Sequence, residues 1–168
     1  DGFEPDLISG GTIGFTATKY PAVVSKIRSR RPLASSEARF LRNCTDSKVI
    51  VAVPSPYTIG RRMWSPDHSK SAYATPEEFM HACIPVVRKE IRDLVELGVD
   101  AVQIDDPWLA LLVDPDYRER EGITDVDREI ALSVDCVNSV AEGMDNVFLS
   151  VHLCHAHWDR QGASKGPY

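Results

Sequence analysis

The sequence predicts an α/β fold built on a parallel sheet. Two observations carry this. Three short apolar runs, each rich in β-branched residues, recur about fifty residues apart, and a helix-forming segment lies between each pair. Strand and helix in strict alternation imply parallel strands joined by right-handed crossovers. The 168 residues suit one domain. With 43% apolar and 26% charged residues, the composition is that of an ordinary globular chain.

The first run is Lys48-Val49-Ile50-Val51-Ala52-Val53, the second Ala101-Val102-Gln103-Ile104 and the third Val147-Phe148-Leu149-Ser150-Val151-His152. All are apolar almost throughout, which predicts strands covered on both faces. Thr75-Pro76-Glu77-Glu78 opens the helix between the first two runs. Thr75 can cap, Pro76 suits the first helical position, and Glu78 can close a capping box. Met80, Cys83, Ile84, Val87, Ile91, Leu94 and Val95 follow at helical spacing, and Gly98 is a natural stop. Pro85 falls inside this helix and removes one hydrogen bond or kinks it. A second helix is expected from Thr124, with Ile130, Val134, Val137 and Ala141 as its apolar stripe and Gly143 as its end. Ahead of the first run, residues 11–16 can form another strand and residues 35–43 a helix. Residues 54–74 and 105–123 are polar and Pro-rich, and are expected to be long loops.

Several classes are disfavoured. No run approaches the ~20 apolar residues of a membrane span, and no secretory leader is visible. Nineteen basic against twenty-five acidic residues, a net charge of −6, argue against nucleic acid as a partner. The basic run Lys26 to Arg31 reads as a solvated loop. Cys44, Cys83, Cys136 and Cys154 form no CxxC pair. A disulfide framework and a ribbon-type zinc site are therefore not expected, and a reducing cytoplasm is. Phosphate-binding glycine loops and a G-x-S-x-G elbow are lacking.

The chemistry gathers at the strand ends. The three runs end in Pro54-Ser55-Pro56, in Asp105-Asp106-Pro107 and in His152-Leu153-Cys154-His155-Ala156-His157. In parallel α/β folds the C-terminal strand ends converge on the active site. His152 and Cys154 lie two apart, hence on one strand face, as half of a zinc site or as a core histidine and a small buried thiol. His155 and His157 would face the other way. Gln103 and Asp105 share a face. Asp105 can bind a substrate ammonium, act as a base, or simply cap a turn before Pro107. Trp64, Trp108 and Trp158 follow the three strand ends, either as an aromatic wall or as loop packing. Arg61, Arg62 and Arg160 lie on the same loops, to meet an anion or to be solvated.

These motifs resemble those of the cobalamin-independent methionine synthase family. Val102-Gln103-Ile104-Asp105-Asp106-Pro107 is similar to the family's IQIDEP strand, and Val151-His152-Leu153-Cys154 to its H-x-C zinc strand. Val53 to Pro56, the helix from Tyr73 to Gly98, and Val137-Asn138 resemble the methionine-synthase-like branch of the superfamily that also holds uroporphyrinogen decarboxylase and coenzyme M methyltransferases. The resemblance spans residues 48–158. It implies part of a (β/α)8 TIM barrel, a zinc ion held by His, Cys, Glu and Cys, and a thiol substrate activated as thiolate for methyl transfer. It makes His152 and Cys154 zinc ligands. Asp105 becomes the catalytic residue that also holds the homocysteine amino group, with Ser55 and Trp108 as further substrate contacts. The implied partners are homocysteine or a similar thiol and a methyl or alkyl donor.

Two departures stand out. The family's last two zinc ligands lie on strands beyond H-x-C, and its first strands are not evident here. Residues 1–168 are therefore expected to be one partial barrel domain made of the middle strands, since a whole barrel takes about 250 residues. The family's folate-contacting Glu corresponds to Leu111, so the resemblance does not extend to the folate contact. Alternatives are a coenzyme M-type alkyl transferase of the same superfamily, or a non-catalytic partial barrel whose open sheet edges pair with a second chain.

Overall fold

A computed structural model describes residues 2–9, 20–154, 157–158, 161–162 and 164–166. The segment 11–16, expected as a strand, lies outside them. The described chain opens with an antiparallel pair, β1 (Phe3–Ser9) and β2 (Tyr20–Val23), followed by α1 (Ser35–Cys44). The alternating part then runs β3 (Ile50–Pro54), α2 (Pro56–Met63), α3 (Pro76–Glu96), β4 (Ala101–Asp105), α4 (Pro107–Leu111), α5 (Pro115–Arg120), α6 (Val126–Ala141) and β5 (Phe148–His152). A short antiparallel pair, β6 (His157–Trp158) and β7 (Gln161–Gly162), comes last. None of the helices described is long and apolar enough to cross a membrane.

The strands β3, β4 and β5 form one parallel sheet in that order. Its register fixes what each face carries. Val53, Ile104 and Val151 align in one row and Val51, Val102 and Leu149 in another, both toward the helices. There Val53, Val102 and Ile104 are buried with Val87, Ile91 and Leu94 of α3, Val140 of α6 and Ala38 of α1. Burial of such aliphatic side chains stabilises the layer by about 2 kcal/mol each. The opposite face carries the rows Ile50–Ala101–Phe148, Ala52–Gln103–Ser150 and Pro54–Asp105–His152. Ile50 is 64% and Phe148 69% exposed. This corrects the expectation of strands covered on both faces: no described element packs over the second face, and β3 and β5 are the sheet's edges.

The helix α3 follows the reading from sequence closely. Thr75 Oγ1 accepts from the Glu78 N–H at 3.1 Å, while Glu78 Oε2 reaches back to the Ala74 N–H at 2.9 Å. Helical structure continues through Pro85. Gly98 and Gly143 take φ of +77° and +69°, the left-handed turn that ends α3 and α6. Helix α1 begins where expected, but its cap is remote. The Glu90 carboxylate of α3 accepts from the N–H groups of Leu33, Ala34 and Ser35 at 2.7–3.0 Å, and from the Ser35 hydroxyl.

Three further expectations need correction. Residues 54–74 contain α2, and residues 105–123 contain α4 and α5. Each is opened by a proline at its first position, and Ser55 and Asp114 add side-chain caps to α2 and α5. Helix α2 lies so close to α3 that a Cβ at Gly60 would stand 2.2 Å from Met80 Cγ. The stripe expected on α6 is rotated. Ser133, Cys136 and Val140 are buried, whereas Ile130 and Val134 are 40% and 44% exposed. The buried positions are small because α6 crosses near α2, α3 and α4, and the Ser133 hydroxyl has a buried acceptor.

Candidate functional site

The strand ends and the helices that follow them are tied together by backbone hydrogen bonds. The Ser55 N–H donates to the Asp105 carbonyl, and the Asp106 N–H to the His152 carbonyl, each at 2.9 Å. The register of the sheet therefore continues one residue past the last strand pairs. It sets Pro54, Asp105 and His152 side by side on the open face.

Asp105 is half-buried, and its Oδ1 accepts from Gln103 Nε2 at 2.8 Å. Gln103 is two residues back on the same face, so this bond fixes the carboxylate without occupying its second oxygen. His152 is exposed, and Cys154 is half-buried with a free thiol. Cys154 lies just past the end of β5. Among the described residues, no group of three or more His, Cys, Asp or Glu side chains converges as a metal site. An imidazole and a thiol spaced by one residue at a strand end nevertheless suit zinc, whose closed sites take four such donors. The side chains of His155, His157, Trp158 and Arg160 lie outside the described set.

Ser55 is fully buried. Its hydroxyl oxygen accepts from the Thr58 N–H at 2.9 Å, as the N-cap of α2. Asp106 is likewise fully buried. Its Oδ1 accepts from the Thr58 hydroxyl at 2.9 Å, and its Oδ2 takes a short bond from the Ser133 hydroxyl. Burial raises its carboxyl above the ordinary aspartate value, against the pull of the Ser133, Thr58 and Ser55 hydroxyls and the Leu109 N–H. The Asp-Asp pair is thus divided. Asp105 faces the open side of the sheet, while Asp106 braces β4 against α2 and α6. Strand alternation predicts the split, but the hydroxyl partners of Asp106 come from elsewhere in the chain.

Trp108, at the start of α4, is 7% exposed and packs with Tyr57, Met80, Leu111 and Tyr117. The Arg62 guanidinium lies 4.0 Å from its ring centroid and 4.9 Å from that of Tyr20. Burial lowers the Arg62 pKa, and electrostatic interaction with Tyr20, Cys154 and Asp105 opposes this. Arg62, which the sequence leaves to meet an anion or to be solvated, is half-buried against the Trp108 and Tyr20 rings. Trp64 belongs elsewhere: its indole N–H donates to the Tyr73 carbonyl at 3.0 Å. Arg61 is drawn toward Glu129, at 4.0 Å. Leu111 is 1% exposed, so the position matching the family's folate contact is core. Arg28, Arg30 and Arg31 are exposed, as expected for that run, and border a cleft of about 520 Å³ floored by Ile59, Met63, Cys83 and Val87.

No family model matches the chain. Individual relatives do. The methionine synthase of Thermococcus kodakarensis is 29% identical over 138 residues, covering 82% of this chain and 35% of its own. That of Saccharolobus solfataricus is 27% identical over 139 residues, 82% of this chain and 36% of its own. The chain thus spans about a third of the length of these relatives. In fold, a B12-independent methionine synthase from Shewanella sp. W3-18-1 superposes with a TM-score of 0.71 at 19% identity, over 94% of this chain and 41% of that one. A putative vitamin-B12 independent methionine synthase from Listeria monocytogenes gives 0.64 at 17%, over 92% and 43%. The chain is therefore similar in sequence to methionine synthases over most of its length, and its parallel sheet with its helices is part of the TIM-barrel fold of the B12-independent methionine synthases.

Proposed function

We propose that this chain carries the thiol-binding part of a zinc-dependent methyltransferase of the methionine synthase type. One observation carries the reading: Asp105 and His152 stand side by side on neighbouring strand ends of the open sheet face, with Cys154 two residues beyond. In this reading residues 1–168 are one part of a barrel domain, and His152 and Cys154 hold zinc with two further donors. Bound there, zinc lowers the pKa of a substrate thiol so that the thiolate exists at neutral pH. Asp105, held by Gln103, receives the substrate ammonium. Trp108 closes the side of the site, and Ser55 supports it through α2. The substrate is homocysteine or a similar thiol. Its sulfur attacks the methyl carbon of the donor, the sulfur–carbon bond forms as the donor–methyl bond breaks, and the thiol proton passes to solvent. The four free cysteines suit a reducing cytoplasm.

Elemental analysis for zinc, with intact mass on the same sample, tests the metal. About one zinc per chain, lost in Cys154→Ser, is expected; a Cys154→Ser protein that keeps its zinc and its activity refutes the reading. The exposed Ile50 and Phe148 favour a second reading, in which a partner chain covers the open sheet face. Sedimentation showing a soluble monomer without a partner would count against it.

A further inference from the structure

We propose that the cleft between residues 27–33 and the helices α2 and α3 binds a small anionic amphiphile: a hydrocarbon chain ending in a carboxylate, its chain along the two helices and its head at Arg28 and Arg31. The site is independent of the thiol-transfer reading. Among the described residues, those lining the cleft include none of Asp105, His152 and Cys154.

The floor of the cleft comes from two helices. Ile59 and Met63 lie four residues apart on α2, and Cys83 and Val87 four apart on α3. Each pair therefore falls on one helix face, as an apolar stripe. These side chains offer a ligand almost no strong hydrogen-bonding group. A sugar or a nucleotide base would leave buried polar groups unpaired there, which is costly. A hydrocarbon chain gains with every CH₂ that it buries. The volume, about 520 Å³, is that of a small-molecule pocket.

The other wall is the segment 27–33, and it is anchored at both ends. The Ile27 N–H donates to the Tyr73 hydroxyl at 2.9 Å, with Lys26 Nζ 4.0 Å from the centroid of the Tyr73 ring. At the far end the Leu33, Ala34 and Ser35 N–H groups donate to Glu90. Leu33 borders the cleft yet is 54% exposed, so the segment does not fill the space with its own large apolar side chain. The wall is also basic. From Leu7 to Ser36 the sequence holds five basic residues and no acidic one, in a chain of net charge −6. Arg28 and Arg31 border the cleft and are exposed, and among the described residues neither is paired with a carboxylate. The acid bonded to this wall, Glu90, is occupied by three N–H groups and the Ser35 hydroxyl. A carboxylate at the mouth of the cleft therefore meets two guanidinium groups, whereas a cation is repelled by them. The floor selects the chain and the wall selects the sign of the head.

The test is calorimetric titration of the full chain with decanoate, 1-decanol, decyltrimethylammonium and acetate, each kept below micelle-forming concentration. Decanoate is expected to bind at one site, about tenfold or more tighter than decanol, as a charge-assisted contact gives. Decyltrimethylammonium should bind more weakly than decanol, and acetate, which has the head without the chain, should show no heat of binding. In methyl NMR spectra decanoate should shift the signals of Ile59, Met63 and Val87, which locates it on the floor. Replacing both exposed arginines, Arg28→Gln with Arg31→Gln, should bring the affinity for decanoate down to that for decanol and leave decanol unaffected. The two substitutions lie on an exposed segment outside the core, so the readout does not depend on a buried change. Any of four results overturns the assignment: no binding of decanoate, an affinity for it no greater than for decanol or for decyltrimethylammonium, binding that leaves the three methyl signals in place, or an affinity unchanged in the double variant.

Discussion

Asp105 and His152 are direct cross-strand neighbours at the C-terminal ends of β4 and β5, and the Asp106 N–H bonded to the His152 carbonyl at 2.9 Å holds the two ends in line. A carboxylate and an imidazole are thus presented together by backbone pairing alone, before any side-chain contact is made. Proximity set by a sheet is rigid, which is what a site needs in order to orient a substrate.

The Asp105 carboxylate is the ammonium receptor in the proposed function. Asp105→Asn keeps the shape and the contact with Gln103 but removes the charge. Homocysteine affinity is expected to fall by about 10–100-fold, since a hydrogen bond to a charged group contributes about 1.5–3 kcal/mol. A thiol without an amine, such as 3-mercaptopropionate, should bind the variant no more weakly than the parent. Equal losses for both ligands would show that Asp105 supports the site without touching the amine.

Asp106 is expected to matter for stability. Asp106→Ala removes the acceptor of the buried Thr58 and Ser133 hydroxyls and should lower unfolding stability by about 3 kcal/mol. Restoring the shape with Asn should recover part of it, because the amide can bond to both hydroxyls once they rotate. Urea unfolding of the two variants measures this. An Ala variant as stable as the parent would mean that the hydroxyls find other partners.

The contrast between these two aspartates shows what was legible in the sequence. Strand periodicity was enough to separate Asp105 from Asp106, and the three apolar runs located β3, β4 and β5 to within about two residues. Helices α2, α4 and α5 were hidden by their shortness, yet Ser55-Pro56, Asp106-Pro107 and Asp114-Pro115 repeat the pattern of Thr75-Pro76, which was recognised because a long apolar stripe follows it. The face of α6 was misjudged because hydrophobicity points to Ile130 and Val134. Close helix approach instead selects the small Ser133 and Cys136. The meeting of Arg62 with Trp108 joins α2 to α4, and no local pattern encodes such a contact.

Glu90 gives the fold a specific acid sensitivity. Burial alone would raise its carboxyl pKa, but the Leu33, Ala34 and Ser35 N–H groups and the Ser35 hydroxyl outweigh burial and hold it below the ordinary glutamate value of 4.5. A carboxyl depressed in the folded state contributes stability above its unfolded pKa and loses it as the pH falls through the folded value. The parent should therefore exceed Glu90→Gln by about 2 kcal/mol near pH 7, from charged hydrogen bonds at the start of α1. The gap should narrow below pH 4.5. Urea midpoints from pH 3 to pH 7 measure it, and a gap independent of pH would assign the effect to packing.

The cysteines make the last prediction, because their burial separates them into two pairs. Cys83 and Cys136 are 2% and 0% exposed. Burial raises each thiol to about 12, with Cys136 adding to the effect on Cys83, and Asp135, Asp106 and Glu77 to that on Cys136. At pH 8 each would hold only about one thiolate in ten thousand, and the thiolate is the reactive form. Cys44 is exposed and Cys154 half-buried. Iodoacetamide at pH 8 should therefore label Cys44 and Cys154 in the native protein, and all four after unfolding, as read by peptide mass mapping. Added zinc should slow labelling of Cys154 and leave Cys44 unchanged, because a metal-bound sulfur is a poorer nucleophile toward the reagent than a free thiolate. Cys44 is the internal control: slowing at both sites would indicate depletion of the reagent, and slowing at neither would remove Cys154 from the ligand set. Labelling of Cys83 or Cys136 at the rate of Cys44 would show instead that α3 and α6 open on the timescale of the reaction.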